Sequence, residues 1–310
     1  METDVKVVNY TIIIPHKNIP TLLRRCIDSI PLRDDLEIIV VDDNSDCGIV
    51  DFDNFPGQER ADTTVILDKK GGGAGHARNI ALERARGKWL VFADADDFFM
   101  PCFGEILDEY VDCEADVVYF KACSVNSETL EPASRTAWQN SMVDDFLSGK
   151  KKGELRLRYK RQVAWSKLFK AEIVNRYGVK FDETYKNNDV TFVYLAAFHA
   201  RKVAASNREM YCATFRDSSI TYNRQSNRDD VRRGVIDVFA RYELFLRNNK
   251  IRLSKTRQLP KLLGGYRLSD KSVYRELMRK LVAMGFNRPR LVMRVWLAIV
   301  RSRFSLRHLW

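Results

Sequence analysis

Five short runs rich in β-branched and aromatic residues punctuate the first 120 residues: "YTIIIP" (10–15), "LEIIVV" (36–41), "TTVILD" (63–68), "WLVFAD" (89–94) and "ADVVYF" (115–120). Runs so uniformly apolar suit strands buried on both faces. Helical patterns lie between them. One opens with Pro20 in its first turn and repeats Leu22, Leu23, Cys26, Ile27 and Ile30 on one face; another spans 74–86 and stops at Gly87. The alternation predicts an α/β fold with a mostly parallel central sheet, in which ligands bind beyond the carboxyl ends of the strands.

The chemically unusual residues follow those ends. "PHKN" follows the first run, "DDNSD" the second, "DKKGGGAGHARN" the third and "DADD" the fourth. Asp94, Asp96 and Asp97 crowd three carboxylates into four positions, a repulsion that a divalent cation between them relieves. Oxygen ligands of this kind suit Mg²⁺ or Mn²⁺, although Asp97, ahead of Pro101, also reads as a helix cap. Glycines at 71, 72, 73 and 75 lead into a helix, where backbone amides can approach a phosphate and Arg78 adds a charge; a flexible loop has the same composition. Asp43 sits where a carboxylate accepts hydrogen bonds from a base or ribose, or else forms an Asx-type turn. Asp189, at a helix start, reads first as a cap.

Charge divides the chain. Residues 221–310 carry 22 Lys and Arg against 6 Asp and Glu, and the preceding residues carry 30 against 35. A mildly acidic front part is therefore joined to a strongly basic, helix-patterned tail that meets something anionic. Six cysteines (26, 47, 102, 113, 123 and 212) lack paired spacing, which argues against zinc or a disulfide framework and for free thiols in the cytosol. No apolar stretch approaches the roughly 18–20 residues of a membrane span, so the chain is expected to be neither secreted nor membrane-spanning.

Taken in order, "TIIIPHKN", "IIVVDDNSD", "GGGAGHARNIAL", "FADADDFF", "WSKLFKAEI", "NNDVTF" and "FRDSSIT" resemble the family 2 glycosyltransferases, in their bacterial surface-polysaccharide branch, over residues 8–222. The resemblance implies a GT-A fold over residues 1–222, followed by a mainly helical basic region at 223–310. It implies a sugar transfer, with inversion, from a nucleoside-diphosphate donor, UDP being the expected nucleotide, to a hydroxyl of a glycan or lipid-linked saccharide. Mn²⁺ or Mg²⁺ is the implied cofactor. By position, Pro15, Asn18, Asp43, Gly72, Arg78, Asp94 and Ala95 fall to the donor, Asp96, Asp94 and Asp97 to the metal, and Asp189 to the catalytic base. Arg216 lies in the segment near the end of the catalytic domain. Two departures stand out: Lys17 replaces the usual tyrosine beside Asn18, and Asn188 replaces the usual glutamate or glutamine before the base.

On a helical wheel of the tail, Arg290, Arg294 and Arg301 fall together, with Leu291, Val292, Val295, Trp296, Ile299 and Val300 opposite. Such a helix can lie on the anionic inner face of a membrane, pack on the catalytic domain or pair with a second chain as a homodimer. Nucleic acid is not expected, because the tail has no reading motif. A haloacid-dehalogenase phosphatase places Thr or Val where Phe98 stands, and a nucleotidyltransferase places its glycine-rich loop after the first strand rather than the third. A non-catalytic nucleotide-sugar-binding subunit of an assembly complex is the remaining alternative.

Overall fold

A computed structural model describes residues 7–215, 228–253 and 257–305. The chain forms two compact units, residues 1–223 and 224–310.

The first unit is organised by an eight-stranded sheet of order β3-β2-β1-β4-β7-β6-β8-β5. Its strands are β1 (Tyr10–His16), β2 (Leu36–Asp43), β3 (Thr63–Asp68), β4 (Trp89–Phe92), β5 (Phe98–Phe99), β6 (Val117–Asn126), β7 (Lys167–Lys170) and β8 (Val203–Phe215). The first four are mutually parallel, with Ile12 opposite both Ile38 and Val91. Helices α1 (Pro20–Asp28) and α2 (Ala74–Leu82) belong to this half, and α3 (Phe103–Tyr110), α4 (Ala137–Leu147), α5 (Gly153–Lys160) and α6 (Ala171–Arg176) follow β5 in the chain. The parallel expectation holds there and then changes. β7 runs antiparallel to both β4 and β6, and β5 antiparallel to β8, while β6 and β8 pair in parallel from Val117–Val203 to Asn126–Phe215. A four-residue strand of Lys-Leu-Phe-Lys has neither an apolar run nor a directional signature in its sequence, so the reversal at β7 was not legible.

Side-chain alternation along β1 separates two cores. Ile12 and Ile14 join Leu23, Ile27, Trp89, Val91 and Phe103 on one face, and Ile13 joins Ala77, Phe92, Phe169, Phe181 and Phe192 on the other. The second core sets up the site. Helix α7 (Asp189–His199) buries Phe192, which stacks on Phe181 at 4.1 Å, and Phe92 meets both rings edge-on at 5.0 Å. Phe92 ends β4 two residues before Asp94, so one aromatic cluster fixes both the acidic turn and the start of α7.

The described part of the second unit contains helices α8 (Asp229–Asn248), α9 (Gln258–Ser269), α10 (Lys271–Ala283) and α11 (Arg288–Ser305). Asp270 caps α10, accepting from the Ser272 and Val273 amides at 2.9 and 3.0 Å. Gly264 lets α11 approach α9, since a Cβ there would stand 3.1 Å from Ile299 Cγ1. The helical-wheel expectation for α11 needs correction. Leu291 and Val295 face inward, yet Arg294 also turns in, forming a two-pronged pair with buried Glu243 at 2.6 and 2.7 Å. Val292, Met293 and Trp296 point outward instead, with Trp296 55% exposed. Glu243 draws Arg294 inward because an unpaired carboxylate buried there would be costly, and a wheel drawn for one helix does not contain that neighbour.

Candidate active site

Four strand ends and the start of α7 supply the site. At the end of β1, Pro15 is buried opposite Val41, and His16 donates from Nδ1 to Asp42 at 2.8 Å while its Nε2 accepts from the Ile19 amide at 3.1 Å. Asp42 also accepts from the Ser45 amide and hydroxyl. Burial alone would raise its pKa, but the hydrogen bonds from His16 and Ser45 outweigh it and hold the carboxyl below the usual range. Asn18, in the left-handed region at φ +57°, donates its amide to Ser45 Oγ and accepts from the Asp46 amide at 2.7 Å. Its side chain therefore joins two loops.

Asp43 Oδ1 accepts from the Gly73 amide at 2.8 Å, and Lys17 reaches the Asp43 carbonyl at 2.7 Å. The end of β2 is thus tied to the glycine loop. Gly73 stands at φ +85° just before α2. Gly72 lies under the His76 ring, which a Cβ would meet at 2.5 Å, and Gly75 abuts the Asp182 carbonyl, which a Cβ would meet at 2.0 Å. Without a side chain at Gly75, the N-terminus of α2 can reach the segment leading to Asp189.

Arg78 is the centre of the arrangement. Its buried guanidinium donates to Asp94 Oδ1 at 2.5 Å and to Asn188 Oδ1 at 2.8 Å, and lies 5.2 Å over the Phe181 ring. One side chain from the glycine-loop helix therefore joins the acidic turn to the residue preceding Asp189.

The acidic turn is held from three sides. The Asp97 amide donates to the Asp94 carbonyl at 3.0 Å, the Asp94 amide donates to Tyr211 Oη at 2.9 Å, and the Asp96 carbonyl accepts from Arg25 at 2.7 Å and Thr214 Oγ1 at 2.8 Å. Asp94 and Asp96 are half-buried and Ala95 buried. Asp97 lies deeper than Asp94 and Asp96. It is 3% exposed, and its two oxygens accept from Tyr211 Oη at 2.8 Å and the Thr214 amide at 2.6 Å. Burial, reinforced by the charges of Asp96 and Asp94, pushes its carboxyl well above the ordinary range. It anchors the turn to β8. Among the described residues no three His, Cys, Asp or Glu side chains are grouped to hold a metal.

Asp189 opens α7. Desolvation pushes its carboxyl up to about 6, against the lowering influence of Arg78 and Lys167 and with the help of Asp94. Lys167 is fully buried, donating to the Arg161 carbonyl at 2.9 Å and to the Val163 carbonyl; burial first, then Arg161, push its ammonium well below the usual lysine range. The sequence had shown "WSK" without a role for this lysine. Arg25, Tyr211 and Thr214 had no signal at all, because each acts through a neighbour distant in sequence. Arg216 lies outside the described residues.

The sequence profile described as glycosyl transferase family 2 matches residues 11–175, more than half of the chain. The chain belongs to that family. Among its relatives, the glycosyltransferase EpsH of Bacillus subtilis is 25% identical over 219 residues, 67% of this chain and 61% of EpsH. YibD of Escherichia coli is 25% identical over 230 residues, 71% of this chain and 65% of YibD. The chain thus spans less than two thirds of either relative. The crystal structure of Staphylococcus aureus TarS residues 1–349 with UDP-GlcNAc aligns with a TM-score of 0.62 at 19% identity, covering 96% of this chain and 92% of that one. A Pyrobaculum calidifontis mannosyltransferase with GDP-Man and Mn²⁺ aligns at 0.53 and 17% identity, covering 99% and 88%. These likenesses establish the GT-A fold of this family 2 chain.

Proposed function

We propose that the protein transfers a sugar from a nucleoside-diphosphate donor, with UDP the expected nucleotide, to a hydroxyl of a glycan or lipid-linked saccharide in bacterial surface-polysaccharide synthesis, inverting the anomeric centre. The observation that carries this reading is Arg78, which links Asp94 on the donor side to Asn188 beside the candidate base Asp189.

An acceptor hydroxyl ionises far above neutral pH, so its attack needs a positioned base, and one carboxylate suffices for a single displacement with inversion. Asp189, titrating at about 6, is ionised at neutral pH and still basic enough to take a proton. Departure of the nucleoside diphosphate builds negative charge on the leaving oxygens, toward which the Arg78 guanidinium and the amides at the start of α2 contribute positive potential. Asp43, tied to Gly73, is the acceptor for a base or ribose. Pro15, Asn18, Gly72 and Ala95 shape the walls of the donor site.

The donor set suits a divalent cation of the Mg²⁺ or Mn²⁺ kind, which is commonly held by one or two carboxylates with substrate phosphates and water completing six oxygens. Asp96 and Asp94 would hold it; Asp97 is spent on β8. When bound, the ion would neutralise diphosphate charge. Six free thiols accord with a cytoplasmic enzyme, working on acceptors at the inner face of the cell membrane.

The test is nucleotide release from a panel of UDP- and GDP-sugars in Mn²⁺, with and without glycan acceptors. One donor should be consumed, with loss on adding chelator and on Asp96→Ala. A protein that binds donors without ever consuming one defeats the catalytic reading, and full activity in excess chelator defeats the metal assignment.

A further inference from the structure

The outward side of α11 combines two features that the sugar-transfer site does not use. Trp296 and Met293 are 55% and 56% exposed, and with Val292, Pro289, Arg267 and Arg288 they line an open groove of about 730 Å³. Contiguous exposed apolar surface rimmed by polar groups marks an interaction site. The charge around it is one-signed. Of the six acidic residues in 221–310, Asp229, Asp230, Asp237, Glu243 and Glu276 are in ion pairs with arginines or lysines of the same unit, and Asp270 caps α10. The unit's internal acids are therefore spent, while 22 basic residues leave a net +16.

We infer that this face of α11 docks onto an anionic lipid bilayer, lying in the interface rather than crossing it. Charge selects the occupant. A second copy docking isologously would bring two arginine-bearing grooves together, with no carboxylate in either lining to offset the like charge. A soluble polyanion without aromatic faces, such as a polyphosphate, would satisfy the arginines but give the exposed Trp296 and Met293 nothing to bury against, and the unit's sequence carries no nucleic-acid reading motif. Lipid headgroups and upper acyl chains take both: arginines meet phosphates while the indole and thioether enter the interface. No described helix is long and apolar enough to span. The inward turn of Arg294 onto Glu243 matters here, because it leaves Trp296, Met293 and Val292 clear of a central cation. The inference is independent of the proposed sugar transfer.

The experiment is flotation of the full chain with vesicles of phosphatidylcholine alone or with 30% phosphatidylglycerol, at two salt concentrations. Binding should be at least tenfold stronger on the anionic vesicles and weaken with salt. The M293S/W296S double substitution should reduce it at least tenfold, whereas Trp138→Ser, at another exposed tryptophan, should not. If the double variant fails to fold, brominated phosphatidylglycerol applied to the unsubstituted chain should quench tryptophan fluorescence. Equal flotation on both vesicle types, undiminished flotation of a folded M293S/W296S protein, or an absence of quenching overturns the inference. So does a dimer that M293S/W296S dissolves while vesicle binding is unchanged.

Discussion

Replacing Asp189 by Asn should sharply slow transfer and stabilise the fold, both through loss of the same desolvated carboxylate. A carboxyl that titrates at 3.8 in the unfolded chain and at about 6 in the folded one opposes folding by about 3 kcal/mol once both states are ionised. The penalty is absent well below pH 3.8, grows as pH rises through the window between the two values, and is complete above 6. It reaches about half its full size near pH 5. Asp189 keeps some solvent exposure, so the expected gain at pH 8 is discounted to ~1–3 kcal/mol. Urea unfolding of the unsubstituted chain and of Asp189→Asn at pH 5 and pH 8 measures it. Transfer should fall by about 10²–10⁴-fold, the usual contribution of a positioned base, with donor affinity retained; in the unsubstituted enzyme the rate should decline as pH drops through about 6. A variant less stable at pH 8 than the parent would refute the desolvation argument, and one with near-normal turnover would remove Asp189 as the base.

Other perturbations test the frame around it. Tyr211→Phe strips Asp97 of one donor and the Asp94 amide of its acceptor; it should cost about 1–3 kcal/mol in thermal unfolding and weaken donor binding in calorimetry. Gly75→Ala forces a Cβ against the Asp182 carbonyl, so about 1–3 kcal/mol of stability should be lost, with kcat falling as the Asp189 segment moves. Arg294→Met leaves Glu243 buried without its partner and should cost about 3–5 kcal/mol, most of it recovered when Glu243→Leu is added; a double variant as unstable as the single would show that packing, not charge, is at stake.

What the sequence revealed divides along physical lines. β1, β2 and β4 and the helices α1 and α2 were legible because a strand buried on both faces and an amphipathic helix each write their period locally. β3 was found by its β-branched residues, but at the sheet edge it is only partly buried, with Leu67 40% exposed, against the expectation of burial on both faces. The positions after those strands were legible for the same reason, since the fold class says where ligands bind. The burial of Asp97 was not legible because its partners, Tyr211 and Thr214, lie more than a hundred residues away on β8. From sequence, three adjacent carboxylates look equivalent; in the fold, one is sealed beneath the turn that presents the other two. Arg294 was misjudged in the same way, through Glu243 on α8.

The two departures from the family pattern acquire physical content in the structure. Lys17 spans to the carbonyl and carboxylate of Asp43, which also receives the Gly73 amide; the position joins the first two strand ends to the glycine loop with a charge. Asn188 matters more. A neutral amide there accepts from Arg78 while leaving the guanidinium's charge to Asp94. A glutamate in its place would compete for that charge and set a second negative group beside Asp189, whose carboxyl burial already pushes up to about 6. With asparagine at 188, the Arg78 link between the acidic turn and α7 is kept without a second negative charge beside Asp189.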